Sequence, residues 1–296
     1  MKSRRSFLAA SLAALGSTTL PLTAKSKDWH FCTFTKPFQH LSYGEMAKVI
    51  AELGFQGIEA PVRPKGHVLP EKVEEDLPKM VEALKAENLE VTILASGINA
   101  VNEEQRTEVV LRTAASLGIK RFRMAYYKYD LEKPILAQLD EFRPQLRDLI
   151  ALSKELGIKP VYQNHSGKNY VGASLWDLHE LMREHDSADI GSAYDIGHST
   201  VEGGKAWELD FRLMRPYIDS VYIKEPAWNQ NKLSWGHLGD GVLDPRFFKL
   251  LKQTKFDGPV NLHVEYLGHK DPEVVPKVIE ATRKDFATLK SWLENA

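Results

Sequence analysis

The sequence predicts one (β/α)8 barrel. Short β-rich runs alternate with longer stretches of helical periodicity, eight strands can be placed along the 296 residues, and a Leu-Gly-apolar step recurs where a helix gives way to a strand. A hydrophobic content of 43% in a chain of this length is enough for one large core. No linker, low-complexity tract or compositional shift divides residues 25–296. An open doubly wound sheet uses the same alternation and is the competing arrangement.

The N-terminal residues differ in kind from the rest. Ser3-Arg4-Arg5-Ser6-Phe7-Leu8 leads into an Ala- and Leu-rich stretch that ends near Leu22, with a small-residue exit at Thr23-Ala24. Residues 1–24 therefore read as a twin-arginine signal peptide, with the twin-arginine translocase as a transient partner and a periplasmic or otherwise exported destination. The stretch is too short and too weakly apolar to span a bilayer, and no later segment approaches a span, so no stable membrane anchor is expected.

From there the elements follow in order. Strands are expected at 30–35, 57–61, 91–95, 121–125, 159–164, 190–195, 220–224 and 260–265, each a short β-rich run. Helices are expected at 42–53, 77–87, 103–117, 134–156, 175–184, 245–254 and 274–295, where apolar residues fall at helical spacing. Leu53-Gly54-Phe55, Leu117-Gly118-Ile119 and Leu156-Gly157-Ile158 each close a helix just ahead of a strand, where glycine supplies a left-handed turn. The single cysteine, Cys32, lies in the apolar first strand and excludes an intrachain disulfide. A net charge of -1 offers no field for nucleic acid.

In a barrel, chemistry belongs at the C-terminal strand ends. Ile58-Glu59, Gln163-Asn164-His165, Tyr194-Asp195, Ile223-Lys224-Glu225 and His263-Val264-Glu265 each put a polar side chain there. Strand alternation places Gln163 with His165, and His263 with Glu265, on one face. Carboxylates on the second, sixth and eighth strands would repel unless a cation or polar ligand sat among them. Oxygen and nitrogen ligands without thiolate suit Mn, Mg, Co, Fe or Zn. Blander roles stand beside these: Asp195 as a helix cap, His198 as the group that positions Asp195, Lys224 in an ion pair with Glu225 or Glu59. Arg63 and His67 lie on the loop after the second strand. Trp228, Trp235, Tyr126, Tyr127 and Tyr266 fall on predicted top-face segments, where rings can stack on a sugar, although loop 225–241 can equally pack over a neighbouring subunit. Gly239-Asp240-Gly241 is a weak candidate for a phosphate cradle.

Six pieces now carry a resemblance: Leu53-Gly-Phe-Gln-Gly-Ile-Glu59, Val161-Tyr-Gln-Asn-His165, Tyr194-Asp-Ile-Gly-His198, Val221-Tyr-Ile-Lys-Glu225, Leu238-Gly-Asp-Gly-Val-Leu-Asp244 and Phe256-Asp-Gly-Pro-Val-Asn-Leu-His-Val-Glu-Tyr266. In order and spacing they resemble the sugar phosphate isomerase/epimerase family of the xylose isomerase-like TIM barrel superfamily. The resemblance implies one divalent metal ion on a hydroxyketone, with an acid/base pair moving a proton beside the carbonyl. Asp195 and Glu265 match its metal carboxylates, and His165 completes the expected metal set. Gln163 stands where a glutamate is usual, and Tyr222 where a metal histidine is usual. Lys224, Glu59 and His198 are the expected acid/base residues; Arg63, His67, Gln163, His237 and Trp228 are the expected substrate contacts. A sugar isomerase or epimerase is the first expectation. A lyase or hydratase on 3-keto-glycosides and a metal-free sugar-binding barrel are the alternatives, phosphodiester cleavage ranks below both, and pairing into a homodimer is left open.

Overall fold

The computed structural model describes residues 29–296, so the expected signal segment 1–24 lies outside the described residues. Eight parallel strands close a barrel: β1 (Phe31–Phe34), β2 (Gly57–Val62), β3 (Glu90–Ser96), β4 (Arg121–Arg123), β5 (Lys159–Gln163), β6 (Gly191–Asp195), β7 (Ile218–Ile223) and β10 (Val260–Leu262), with β10 pairing both β1 and β7. Around them run α1 (Tyr43–Leu53), α2 (Val73–Ala86), α3 (Thr107–Ser116), α4 (Ile135–Leu156), α5 (Leu175–Met182), α6 (Ile196–Gly203), α7 (Trp207–Met214), α8 (Arg246–Gln253) and α9 (Val275–Asn295). The expected (β/α)8 topology is the observed one.

Local chemistry explains the boundaries. Ser42 and Glu45 form a reciprocal capping box at the start of α1, and Gly54 closes that helix at φ 91°. Gly118 and Gly157 take the same left-handed conformation, as the recurrent step predicts. Inside the barrel, Cys32, Ile93, Val161 and Tyr222, from the alternate strands β1, β3, β5 and β7, pack together with Ala193 into one buried layer. Cys32 is thus a core residue. The register between β2 and β3 shifts between Ile58 and Glu59, with Thr92 the extra residue on β3.

Two segments depart from expectation. The stretch 225–236, read as a loop, is an antiparallel hairpin of β8 (Glu225–Asn229) and β9 (Lys232–Gly236). Its two-residue turn, Gln230-Asn231, holds both residues at positive φ, the primed geometry that matches strand twist. Between β6 and β7 the chain adds α6 and α7, for which no helix was expected. Among the described residues no helix is long and apolar enough to cross a membrane.

Candidate functional site at the barrel mouth

Glu59 is a fully buried charged group inside the barrel. Its Oε1 accepts from Arg123 Nε at 2.5 Å and from the Tyr222 hydroxyl at 3.1 Å; its Oε2 accepts from the Asn261 amide at 2.7 Å and meets His263 Nε2 at 2.8 Å. Burial alone pushes a carboxyl up, but Arg123 and His263 outweigh it and hold Glu59 at about 2. The effect is reciprocal: burial would lower His263, and Glu59 raises it above the ordinary histidine value. Four partners use both oxygens, and the side chain is fully buried. Its place among the expected acid/base residues is therefore that of an internal counter-ion.

A directed relay leads from this centre to the mouth. Arg123 Nη1 donates to the Tyr126 oxygen at 3.0 Å, so the Tyr126 hydroxyl donates onward to Gln163 Oε1 at 2.6 Å. That fixes the amide: Gln163 Nε2 donates to Asp195 Oδ2 at 2.7 Å. The same Oδ2 holds the Lys224 ammonium at 3.1 Å, and Asp195 Oδ1 accepts the His198 backbone N–H at 3.0 Å as the cap of α6. Asp195 is thus both helix cap and counter-ion of Lys224, which pairs with neither Glu225 nor Glu59. Gly197 makes room for this pair: a Cβ there would lie 2.6 Å from the Lys224 carbonyl oxygen and 2.9 Å from its Cγ.

Above Lys224 opens a cavity of about 390 Å³, walled by His165, Ser166, His198, Lys224, Trp235, His263, Glu265 and Tyr266. His165 Nδ1 lies 2.8 Å from the Ser166 carbonyl, which can only accept, so Nδ1 carries the proton and Nε2 keeps its lone pair. Burial and the Lys224 charge lower His165 to about 4. His198 is neutral for the same reasons, its ring centroid 3.9 Å from that of His165 and its Nε2 without a hydrogen-bond partner among the described residues. Glu265 pairs with Lys36 at 2.9 Å and lies 3.4 Å from His263 Nδ1; although burial opposes it, His263, Lys224 and Lys36 hold its carboxyl well below the usual range.

The expected substrate contacts scatter. Arg63 stays near the mouth, its guanidinium 5.5 Å from the Phe34 ring centroid, and burial with the Arg123 charge lowers its pKa. His67 turns away: its Nε2 meets the Leu41 carbonyl at 3.0 Å and its ring packs on Tyr43. His237 is held by Asp285 at 3.0 Å and by the Tyr266 hydroxyl at 2.7 Å, so it positions Tyr266 instead of lining the cavity. Gln163 is used up within the relay. Trp228 lies near the tip of the hairpin, 51% exposed, beside Trp207 and Arg246, and Trp235 is the tryptophan on the wall of the Lys224 cavity. In the hairpin Trp228 sits opposite Leu233, one pair from the turn, and Trp235 sits opposite Pro226, nearer the base, where it lies beside Lys224. The glycine-rich loop after β9 cradles an internal anion: Gly239 and Leu243 N–H groups each donate to the Glu225 carboxylate at 2.8 Å, and a Cβ on Gly241 would lie 2.2 Å from the Pro226 carbonyl. It is no free phosphate site.

The sequence pattern of the xylose isomerase-like TIM barrel family matches residues 47–292. The chain belongs to this family. Among solved structures the xylose isomerase-like barrel is similar to D-psicose 3-epimerase from Clostridium cellulolyticum H10, with a TM-score of 0.69 and 11% identity over 89% of this chain and 99% of that one. It is similar to 3-keto-D-glucoside 4-epimerase, YcjR, from E. coli, with a TM-score of 0.66 and 20% identity over 89% and 100%. A probable 3-DHS dehydratase, AsbF, from Bacillus anthracis gives a TM-score of 0.67 and 17% identity over 87% and 98%. These identities establish a shared fold alone. A curated relative, an uncharacterised protein of Methanocaldococcus jannaschii, is 23% identical over 155 residues, 50% of this chain; the chain spans about half the length of that relative, 52% of it.

Against the metal set that the resemblance implies, this xylose isomerase-like barrel departs. Among the described residues no group of three His, Cys, Asp or Glu side chains is arranged to hold a metal ion. His165, Asp195 and Glu265 do not converge as one: Asp195 Oδ2 already accepts from Gln163 and Lys224, Glu265 is paired with Lys36, and His165 packs against His198. The residues present do not fit the expected ion.

Proposed function

We propose that this chain is a carbohydrate enzyme that moves a proton beside a carbonyl, as a sugar isomerase or epimerase does. One observation carries the reading: an ammonium, Lys224, and a neutral imidazole with a free lone pair, His165 Nε2, stand on the wall of one cavity of about 390 Å³. That size falls within the range of about 300–1,000 Å³ typical of small-molecule sites. Trp235 and Tyr266 offer ring surface for a sugar face on the same wall. In the step we propose, His165 Nε2 takes the proton from the carbon beside the carbonyl, and the C–H electron pair forms a carbon–carbon double bond. The carbonyl oxygen, now negative, is held by Lys224; a proton delivered to the opposite face of the same carbon completes an epimerisation, and a proton returned to the former carbonyl carbon, with the adjacent hydroxyl passing its own proton to the oxygen at Lys224, completes an isomerisation. His198 backs His165 and stands as the second proton carrier.

A β-elimination begins with the same proton removal, and two of the similar structures are named for a 3-keto-D-glucoside and for a dehydratase. A lyase acting on a 3-keto-glycoside is therefore the second reading. Incubation of the full chain in D2O with free ketoses and with 3-keto-glucosides, followed by proton NMR, separates them. Deuterium beside the carbonyl, with that carbon inverted or the carbonyl moved to its neighbour, supports the isomerase or epimerase, and release of the aglycone supports the lyase. Saturable sugar binding without deuterium uptake would leave a binding barrel and sink the proposal. Export through the twin-arginine pathway belongs to the same proposal, and a processed N-terminus near Lys25 in the exported protein tests it.

A further inference from the structure

We infer that the Lys224 ammonium stands in place of the divalent metal ion that the resemblance implies, so that an N–H donor, not a metal ion, binds the substrate's carbonyl oxygen. The inference rests on the reading of the cavity proposed above.

Charge balance is the first support. The three carboxylates at the second, sixth and eighth strands each have their own cation: Glu59 has Arg123 at 2.5 Å, Asp195 has Lys224 at 3.1 Å and Glu265 has Lys36 at 2.9 Å. Glu225 is turned away and held by the Gly239 and Leu243 N–H groups, so none of the four is free to hold a divalent ion. An ion placed on Asp195 Oδ2 would also meet the ammonium already bound to that oxygen, a like-charge contact in a poorly solvated site.

Second, the side chains at the positions where the resemblance expects a glutamate and a histidine ligand have other attachments. Gln163 is a neutral amide whose two ends are fixed by Tyr126 and Asp195, and the Tyr222 hydroxyl donates down to Glu59. Both exchanges remove metal affinity and add a strand-to-strand hydrogen bond.

Third, the ammonium is built in. Lys224 is 8% exposed, its stem passes over Gly197 where a Cβ would collide, and its Nζ lies 4.9 Å from the Trp235 ring centroid. An ammonium has three N–H donors; Asp195 takes one, and the others have no acceptor among the described residues. They remain for a carbonyl or hydroxyl oxygen in the cavity that Lys224 lines.

Elemental analysis of the purified full chain, and titration of the chelator-treated protein with Mn²⁺ followed by the EPR signal of the free ion, test this directly. We expect no stoichiometric metal, no uptake of Mn²⁺, and deuterium exchange into substrate unchanged by chelation. One tightly bound Mn²⁺ per chain, or exchange lost on chelation and restored by a divalent ion, overturns the inference. Lys224→Met should slow exchange by about 10²–10³-fold, the usual effect of removing one oxyanion donor. Full exchange in a folded Lys224→Met protein would also overturn it. Should that variant not fold, the Mn²⁺ titration of the unaltered protein decides alone. Absence of exchange on every sugar, with or without metal, would instead defeat the proposed function, and the titration would still judge this inference separately.

Discussion

His165 and His198 stack with centroids 3.9 Å apart, and burial beside Lys224 keeps both neutral. Two imidazolium ions would not hold that spacing, so the pair can carry one proton at a time. His165 is tied to the fold through Nδ1 and through ring contacts with Tyr126, Tyr170 and His198, which leaves Nε2 for chemistry. His165→Ala should therefore lower deuterium exchange by about 10²–10⁴-fold, the range for a lost general base, while far-UV circular dichroism stays that of the parent. Exchange within error of the parent would remove His165 from the reaction. At this scale the sequence shows which polar groups end strands, and His165, Asp195 and Lys224 were all named from that. It does not show Arg123 or the Tyr126 hydroxyl as their partners. Arg123 occupies a three-residue strand in which alternating arginines look like any half-exposed edge, and the direction of its hydrogen bonds exists only once Glu59 is opposite. His67 and His237 misled for the complementary reason: a loop histidine beside a carbonyl or carboxylate reads the same as one facing a ligand.

The β8–β9 hairpin is the element that completes the cavity, because it alone brings an indole over Lys224. Trp235→Ala should raise KM for a sugar by about tenfold with a smaller change in kcat, as expected for loss of a stacking and cation–π partner. Trp228→Ala, near the hairpin tip and away from Lys224, should leave both unchanged. Equal effects of the two substitutions would show that the hairpin acts as a whole and not through one ring. Behind the hairpin the Glu225 carboxylate pins the loop that follows it, and Gly241 admits no side chain beside Pro226. Gly241→Ala is expected to destabilise the fold by about 1–3 kcal/mol, the scale of overpacking, measured as a shift in the urea midpoint. All eight barrel strands were legible because each is a short β-rich run between helices. The hairpin was not, since Asn229, Gln230, Asn231 and Lys232 carry little β propensity and only the paired geometry makes them strand and turn.

Across the molecule, a charged cluster sits inside the barrel above the apolar layer of Cys32, Ile93, Val161 and Tyr222, and its titration sets how stability follows pH. Glu59, ordinarily near 4.5, is held at about 2 in the fold, so it adds stability that is complete above its unfolded value and is lost as pH falls toward 2. His263 is raised above 6.5, so its contribution is complete below that value and is lost as pH climbs through the raised one. Both are present together between about pH 4.5 and 6.5, the span between the two ordinary values. Other carboxylates, the buried Asp210, Glu225 and Asp285 and the half-buried Asp177, are raised chiefly by loss of solvent and act in the opposite sense, so the pH profile of the parent alone does not isolate the cluster. Comparison with Glu59→Gln does. That variant leaves Arg123 buried without its carboxylate and should cost about 3–5 kcal/mol near pH 5.5. As pH falls from 4.5 toward 2, first the unfolded and then the folded parent takes up the proton that the amide mimics, and the two melting temperatures should draw together. Above pH 6.5 the gap should narrow again, but only by the share that His263 supplies, because Arg123 stays charged. A difference in melting temperature that is constant from pH 3 to pH 8 would mean that Glu59 does not titrate with the fold, and that the charged centre is not what holds the barrel's mouth together.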